Sequence, residues 1–235
     1  MAERPIFIPA PDSPELVKEL SMHLIWSPGF APVQKKKNVI ALHASAAKAG
    51  YAPLLEVSTK SGEKVGRRLS AFNLKVHSDR LGRMPLETAF QGSKVFARGG
   101  PYTDLYGVPD VRDAKRDLRL KESGPLTGFK FEDIWFPLEP KTAFYDWLYV
   151  TALYEHREWL RNRIFHYAGF TDIEFNPERS INCQARSCAL LVTLMKNDWL
   201  DEAVGSPESF IRLLSSRRYR PDHARSVGQE AMFRP

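Results

Sequence analysis

The sequence predicts a single helix-rich α+β domain with a small β-sheet. The chain has 235 residues, enough to bury a sizeable core, and its 43% hydrophobic and 26% charged content is typical of a globular protein. Short alternating apolar stretches are concentrated in the first third of the chain, whereas helical periodicity recurs throughout. Strands and helices do not alternate strictly, and no glycine-rich phosphate-binding fingerprint occurs. The pattern therefore favours neither a Rossmann domain nor a P-loop fold.

The elements are predicted in chain order from periodicity and end signals. Residues 5–9 predict a short strand, and residues 12–24 predict a helix that begins at Ser13-Pro14-Glu15. Residues 35–50 predict an amphipathic helix that Gly50 ends. The later predictions are strands at 53–60 and 69–76, a helix at 84–96, loop-rich segments at 97–117 and 121–141, a long helix at 142–165, an extended piece at 169–177, a helix at 180–204 and a capped last helix at 206–216.

Composition and charge indicate the kind of partner and argue against metal-dependent and membrane proteins. The net charge of +6 and the pI near 9.3 favour a polyanionic partner. Cys183 and Cys188 lack the spacing of a zinc site and the six histidines are scattered, so we expect no metal and no cofactor. No apolar run approaches the roughly 20 residues of a membrane helix, and the first residues lack the apolar core of a signal peptide. We therefore expect a cytoplasmic protein.

The domain boundaries follow from the same patterns. We expect residues 1–215 to form one domain, in which residues 1–51 are an N-terminal strand and helix extension packed on the rest. Residues 216–235 are polar and basic, and we expect them to form a loosely ordered tail.

A polar stripe interrupts the apolar helix predicted at 84–96. Glu87, Gln91 and Lys94 are spaced i, i+4 and i+7, so all three would share one side of that helix. Such a stripe is either a solvated face or the wall of a site. We predict that it borders a concave site together with Ser70, which ends the preceding strand.

The order of these segments resembles the NADAR superfamily, and above all the NADAR antitoxins encoded beside DNA ADP-ribosyltransferase toxins of the DarT type. The family signature is a Ser-x-Phe strand end, a short loop and a helix with Glu, Gln and Lys at fixed positions. The matching residues here are Ser70, Phe72, Glu87, Phe90, Gln91, Lys94 and Phe96. The strand LLEVSTK resembles the first family strand and places Lys60 near the pocket, while Asn182 and Gln184-Ala185 resemble the start of the family's small-residue helix.

This resemblance implies a NADAR-like fold and hydrolysis of the N-glycosidic bond between ADP-ribose and guanine bases of DNA. The implied partners are ADP-ribosylated DNA and the cognate toxin, and tail arginines such as Arg217, Arg218 and Arg220 would add DNA affinity without sequence readout. The chain departs from the signature at Thr88, where the family has His, and at FNPERS, where a Trp-Gly pair is missing.

The implied chemistry needs a carboxylate beside an oxocarbenium-like carbon and a lysine near the departing base. Glu87 is the first candidate for the carboxylate, and Lys94 would donate a proton or a charge-assisted hydrogen bond. Alternatively, if the strand delivers it to the same pocket, Lys60 would attack the opened sugar as an amine and form a Schiff base, and the resemblance leaves open which of the two lysines is catalytic. The resemblance leaves open whether Asp172 or Glu174 is the late acidic residue.

Further side chains are expected to bind the ligand. They are Ser70, Phe72, Asn73, Gln91, Tyr102, Asp104, Tyr106, Trp135 and Asn182. Asn182 suits either a helix N-cap or a pyrophosphate contact, and Ser70 either a strand end or a ribose contact. The loop GGPYTDLY, which has no counterpart in the general signature, either binds substrate or is only pinned, and Trp135 either stacks on a base or fills the core.

Two other functions stay open from the sequence. One is an N-glycosidase that acts on a small nucleotide-like metabolite of the riboflavin-pathway type. The other is a non-catalytic module that binds ADP-ribose or the toxin. The basic tail and the extra loop favour DNA over a small metabolite.

Overall fold

The computed structural model describes residues 1–78 and 80–217, and the structural statements below concern these residues. The strands are β1 (Ala2–Ala10), β2 (Leu16–Leu24), β3 (Leu54–Glu56), β4 (Lys75–Ser78), β5 (Gly82–Pro85), β6 (Lys94–Phe96), β7 (Leu126–Phe131), β8 (Ile134–Phe136) and β9 (Gly169–Thr171). The helices are α1 (Pro32–Lys48), α2 (Lys64–Arg68), α3 (Leu86–Gly92), α4 (Val111–Arg116), α5 (Arg119–Glu122), α6 (Ala143–Tyr154), α7 (Arg157–Ile164), α8 (Gln184–Lys196), α9 (Leu200–Gly205) and α10 (Pro207–Ser216), with a 3-10 turn at Thr103–Gly107. This mixture of helices and small sheets confirms the predicted α+β class.

The largest sheet has four strands in the order β2-β1-β9-β3. β1 pairs with β2 and with β9 antiparallel, whereas β3 and β9 run parallel. Two smaller sheets join β4 to β5 and β6 to β7 and β8. The prediction of a small sheet drawn from the first third of the chain therefore misses β9, which the chain adds from residues 169–171.

The four-stranded sheet lies between two helical layers. Successive side chains of a strand point to opposite faces, and in β1 Ile6 joins the apolar cluster beneath α1, while Phe7 joins the main core. The main core also contains the apolar side chains of α6 and α8, and α8 is buried along almost its whole length. α3 packs against α6 on this side, so the core fixes the helix that carries Glu87.

The predicted helix at residues 12–24 is wrong, because residues 16–24 of this stretch form β2. All nine of its residues pair with β1, from Leu16 opposite Ala10 to Leu24 opposite Ala2. Leu20, Met22 and Leu24, which are spaced by two, pack toward α1. Pairing with β1 and burial of one apolar face stabilise the strand more than the helix start signal at Ser13-Pro14-Glu15 favours a helix.

Other boundaries also differ from prediction. Most of the predicted strand at 69–76 is a turn, closed by a hydrogen bond from Asn73 N to Ser70 O, and β4 begins only at Lys75. The long helix at 142–165 is broken between α6 and α7, and the helix at 180–204 is two helices, α8 and α9. The segments expected to be loops contain α4, α5 and the β7–β8 hairpin. The last helix is capped, as predicted, and of the two candidate caps, Ser206 and Ser209, it is Ser206 that accepts a hydrogen bond from Ser209 N.

Candidate active site

The topology brings two strand ends to one edge of the sheet. β3 and β9 are parallel neighbours, with Glu56 opposite Thr171, so the segments that follow them leave the sheet side by side. Thr59 follows β3 and Asp172 follows β9, and both line one cleft. The sheet therefore supplies one wall of a concave site.

The cleft has a volume of about 480 Å³. α3 and β6 form another wall, and α4, α5, α6 and the segment from β9 to the start of α8 complete it. The lining side chains with polar chemistry are Thr59, Glu87, Gln91, Lys94, Lys115, Lys121, Tyr145, Asp172, Glu174, Asn176, Arg179, Ser180, Asn182 and Gln184. This polarity, in a cleft of that size, suits a nucleotide-sized ligand.

Glu87, Gln91 and Lys94 all line the cleft, but not for the predicted reason. α3 ends at Gly92, so Lys94 is the first residue of β6 and does not continue the helical stripe. Glu87 and Lys94 are each only 7% exposed. Gln91 Nε2 donates to Glu87 Oε1 at 2.8 Å, and this bond fixes the carboxylate on the helix.

Lys94 is held against an aromatic ring. Its Nζ lies 5.1 Å from the centre of the Phe90 ring. Burial lowers the pKa of Lys94 to about 8, an effect that the charge of Glu87 opposes and that of Lys115 reinforces. A lysine in this state loses its proton far more readily than an exposed one, which suits proton transfer.

Asp172 is the second buried carboxylate of the cleft. It accepts hydrogen bonds from Gln184 Nε2 at 2.8 Å and from Glu174 N at 3.0 Å. Burial raises the pKa of Asp172 to about 6, although these hydrogen bonds act in the opposite direction. The structure distinguishes the two candidate late acids, because Glu174 is exposed and lies 3.7 Å from Lys35 Nζ.

Ser70 lies behind the cleft and does not line it. It is fully buried, and its Oγ donates to Gln184 Oε1 at 3.3 Å, beside the stronger bond from Ala71 N at 2.7 Å. Gln184 in turn holds Asp172. The expectation that Ser70 borders the concave site is thus wrong, and Ser70 instead supports the amide that orients Asp172.

Glu56 forms a buried polar cluster beneath Asp172. It accepts hydrogen bonds from Ser58 Oγ at 2.6 Å, from Thr171 Oγ1 at 2.7 Å and from Ile173 N at 2.9 Å. Burial, with the charge of Asp172 adding to it, raises the pKa of Glu56 to about 8. His43 Nε2 is 2.9 Å from Thr171 Oγ1, and burial lowers the pKa of this imidazole to about 4.

This cluster predicts a pH-dependent stability. The folded-state pKa of Glu56, about 8, lies above the ordinary value of 4.5, so its contribution to stability is complete below pH 4.5 and is lost as pH rises through 8. The free energy of unfolding should therefore fall between these values, by on the order of a few kcal/mol. Glu56→Gln, which stays neutral, should flatten the dependence in urea titrations, whereas the exposed Glu15→Gln should not. An unchanged slope in Glu56→Gln would contradict the prediction.

The loop GGPYTDLY packs against the back of α3, away from the cleft. Tyr102 N donates to Gly92 O at 2.7 Å, and Tyr106 Oη lies 2.9 Å from Ser93 Oγ. A Cβ on Gly92 would come within 2.6 Å of the Tyr106 ring, so this close approach requires glycine. Asp104 forms a 2.6 Å ion pair with Arg119. Tyr102, Asp104 and Tyr106, which were expected to bind the ligand, do not line the described cleft. Their contacts agree with the alternative of a loop that is only pinned in place.

Of four other expected site residues, two line the cleft and two lie outside it. Phe72 and Asn182 line the cleft, and Asn182 is not the N-cap of α8, a position that Cys183 occupies. Asn73 is exposed and donates from Nδ2 to Arg67 O at 2.7 Å, outside the cleft. Trp135 lies across Gly128 in the β7–β8 hairpin, also outside it.

Lys60 is exposed and does not line the cleft, although its neighbour Thr59 does. Its backbone N–H donates to Ser58 Oγ at 3.1 Å, which closes a tight turn after β3. This turn brings Thr59 to the cleft and leaves the Lys60 ammonium in solvent. Among the two predicted lysines, Lys94 alone borders the cleft within the described chain.

Comparison with known families identifies the family of this chain. A family model described as the DarT1-associated NADAR antitoxin matches residues 2–224. The chain belongs to this family. The predicted resemblance to the NADAR superfamily is confirmed, and the family description supports an antitoxin role associated with a DarT toxin. Comparison with curated proteins gives no match.

Several cleft residues of this family member were not predicted. Lys115 and Lys121, from α4 and α5, and Arg179, from the segment after β9, give the cleft a basic side. Lys115 and Lys121 lie in segments predicted to be loops, and α4 and α5 are too short for their periodicity to predict helices. Tyr145 of α6 also lines the cleft, where burial, then the charge of Glu87, and more weakly that of Asp172, raise the pKa of its hydroxyl. Glu87, Tyr145 and Asp172 therefore line the same cleft.

The described residues contain neither a metal-site arrangement nor a membrane-spanning helix. No group of three or more His, Cys, Asp or Glu side chains in residues 1–78 and 80–217 has the arrangement of a metal site. No helix within those residues combines the length and the apolar character needed to cross a bilayer. Arg218 and Arg220 lie outside the described residues, while Arg217 packs over the Trp199 ring at 4.3 Å.

Proposed function

We propose that this NADAR family member is a hydrolase that removes ADP-ribose from guanine bases in DNA and so acts as antitoxin to a DNA ADP-ribosyltransferase. The observation that carries the proposal is the placement of Glu87. Its carboxylate is nearly buried in a cleft of about 480 Å³, one of its oxygens is held by Gln91, and Lys94 and Asp172 line the same cleft. A fixed carboxylate in a partly dry site is what an oxocarbenium-like transition state needs.

The reaction adds one water across the N-glycosidic bond. As the bond between C1″ of the ribose and the guanine nitrogen breaks, its electron pair goes to the nitrogen, which takes a proton from the Lys94 ammonium. Glu87 stabilises the positive charge that develops at C1″. Water attacks C1″ and gives its proton to the Asp172 carboxylate. The products are free ADP-ribose and unmodified guanine, and proton exchange with solvent restores both groups.

The pKa directions favour this division of roles. The pKa of Lys94, lowered to about 8, keeps its acid form dominant at neutral pH, while that of Asp172, raised to about 6, keeps its base form dominant. Two groups whose environments move their pKa values toward neutrality from opposite sides suit a general acid and a general base. Glu174, exposed and paired with Lys35, is a weaker candidate for the base.

The rest of the cleft suits the two ends of the substrate. Lys115, Lys121 and Arg179 supply cations for the pyrophosphate. Phe72, which is 43% exposed at the edge of the cleft, offers a ring on which the guanine can stack. If a Schiff base forms with the opened sugar, the buried Lys94 is better placed to supply the amine than the exposed Lys60.

The test is direct. The protein is incubated with a DNA oligonucleotide that carries ADP-ribose on guanine, and the products are resolved by gel mobility and by mass. We expect the unmodified strand and free ADP-ribose, with oxygen from labelled water at C1″. Binding of the modified strand without release would support the non-catalytic alternative. Hydrolysis of a nucleotide-like metabolite, with no release from DNA, would support the small-metabolite alternative.

A further inference from the structure

A second concavity, here called the flanking groove, shares a wall with the cleft. Residues 69–75 contribute to both: Ala71 and Phe72 line the cleft, whereas Asn73 and Lys75 line the flanking groove. The groove has a volume of about 700 Å³ and extends from α2 across β4 and β5 to the junction of α6 and α7. None of the steps proposed above uses it.

The flanking groove carries an excess of positive charge. Arg68, Lys75 and Arg83 line it, and Glu155 is the carboxylate on its wall. Arg83 and Glu155 are 3.7 Å apart with side chains 68% and 69% exposed, so this pair is weak and can yield to a phosphate. Within the described part of the chain, Arg68 and Lys75 form no salt bridge, which leaves their charge available.

The groove also contains prearranged contacts. The Arg68 guanidinium lies 5.6 Å from the centre of the Trp159 ring, so stacking restrains it while its N–H groups stay accessible. Thr151 Oγ1 is buried in the groove wall and has no hydrogen-bond partner among the described residues. A buried hydroxyl without a partner is costly unless a ligand or water supplies one.

We infer that the flanking groove binds the phosphodiester backbone of the DNA strand next to the modified guanine. The inference rests on the proposed function, which places that guanine in the cleft beside Phe72. A strand leaving the cleft over Phe72 would pass directly onto residues 73–75 and meet the cations of the groove. Three exposed cations, of which Arg68 lies over an aromatic ring, suit a polyanion better than a protein surface. Backbone contacts of this kind position a strand without reading its sequence.

A pair of matched double variants tests the inference. Lys75→Gln with Arg83→Gln removes two charges from the groove, and Lys18→Gln with Lys48→Gln removes two from exposed positions that line neither concavity. All four side chains are exposed, and thermal unfolding checks that both variants fold. Binding of an unmodified single-stranded oligonucleotide is measured by fluorescence anisotropy over a range of salt. Steady-state kinetics then compare ADP-ribosylated oligonucleotide with ADP-ribosylated guanosine.

The groove variant should bind the unmodified strand on the order of tenfold more weakly at low salt. Its plot of log affinity against log salt should be shallower by about 1.4, since each lost phosphate contact on a single strand contributes about 0.7. The KM for the modified oligonucleotide should rise with kcat unchanged, and turnover of the guanosine substrate should not change. The control variant should behave like the parent in every assay.

Two outcomes overturn the inference. One is equal DNA binding by the groove variant and the control variant. The other is an equal loss on the oligonucleotide and on the guanosine, which would show a structural defect. If the parent hydrolyses neither substrate, the proposed function fails, and binding of the unmodified strand still decides whether the groove contacts DNA.

Discussion

A Glu87→Gln variant should hydrolyse ADP-ribosylated DNA about a hundred- to a thousandfold more slowly than the parent, a loss of roughly 3 to 4 kcal/mol of transition-state stabilisation. The change keeps the size of a side chain that is 7% exposed and removes its charge. Binding of the modified strand should survive, because the phosphates and the guanine are held by other residues. The measurements are single-turnover release of ADP-ribose and equilibrium binding. In cells, the variant should accumulate normally and fail to protect against the toxin.

The same substitution at a second carboxylate of the cleft serves as a matched control for Glu87→Gln. Glu174→Gln changes an exposed carboxylate of the same cleft that lies 3.7 Å from Lys35 Nζ. Its loss of turnover should be less than about tenfold, since a single long ion pair from an exposed carboxylate contributes little, on the order of 1 kcal/mol. A Glu87→Gln variant that keeps turnover within about threefold of the parent, or a larger loss at Glu174, would show that Glu87 is not the stabilising carboxylate.

A Lys94→Met variant should lose about a hundred- to ten-thousandfold in turnover, the contribution that a positioned general acid typically makes. The parent rate should rise with pH as Asp172 ionises near pH 6 and fall as Lys94 loses its proton near pH 8. Methionine cannot donate a proton, so the fall near pH 8 should vanish in the variant. The pH dependence of kcat/KM, which reports the groups of the free protein, is measured on oligonucleotide substrate at constant ionic strength and checks this.

Two further experiments separate the roles open to Lys94. Lys94→Arg keeps a positive charge but does not release a proton near neutral pH, so it should not restore turnover if proton donation is the role. Treatment of the reacting parent with borohydride should leave no ADP-ribose attached. Recovery of ADP-ribose on a peptide that contains Lys94 would instead show that its amine attacks C1″, and activity near the parent level in Lys94→Arg would show a purely electrostatic role.

For the polar stripe, the position at the cleft was more predictable than the secondary structure, whereas other expected site residues, such as Lys60, Ser70 and Tyr102, do not line the described cleft. The pattern of Glu87, Gln91 and Lys94 correctly placed all three on one wall, although the structure divides them between a helix and a strand. The helix-to-strand change at Gly92 and Ser93 depends on pairing of β6 with β7, some 30 residues later in the chain. Periodicity within one segment contains no information about such a partner.

Other errors of the sequence-based prediction also have specific structural causes. β2 has the composition of a helix, and its strand conformation depends on its pairing with β1. The break between α6 and α7 follows Tyr154, and no Pro or Gly occurs between Ala143 and Ile164 to signal it. The basic side of the cleft comes from α4 and α5, short helices whose pattern is too brief to detect. Asp172, by contrast, was among the predicted candidates, and its place at the end of β9 explains its position.

The packing of GGPYTDLY behind α3 bears on any attempt to transplant this site. The segment contacts Gly92 and Ser93, the residues between the elements that carry Glu87 and Lys94. It therefore stabilises the turn between α3 and β6, which sets the spacing of the two proposed catalytic side chains. A scaffold that received Glu87, Gln91 and Lys94 alone would lack these contacts to Gly92 and Ser93. A working graft must include the loop together with its Gly92 and Ser93 contacts.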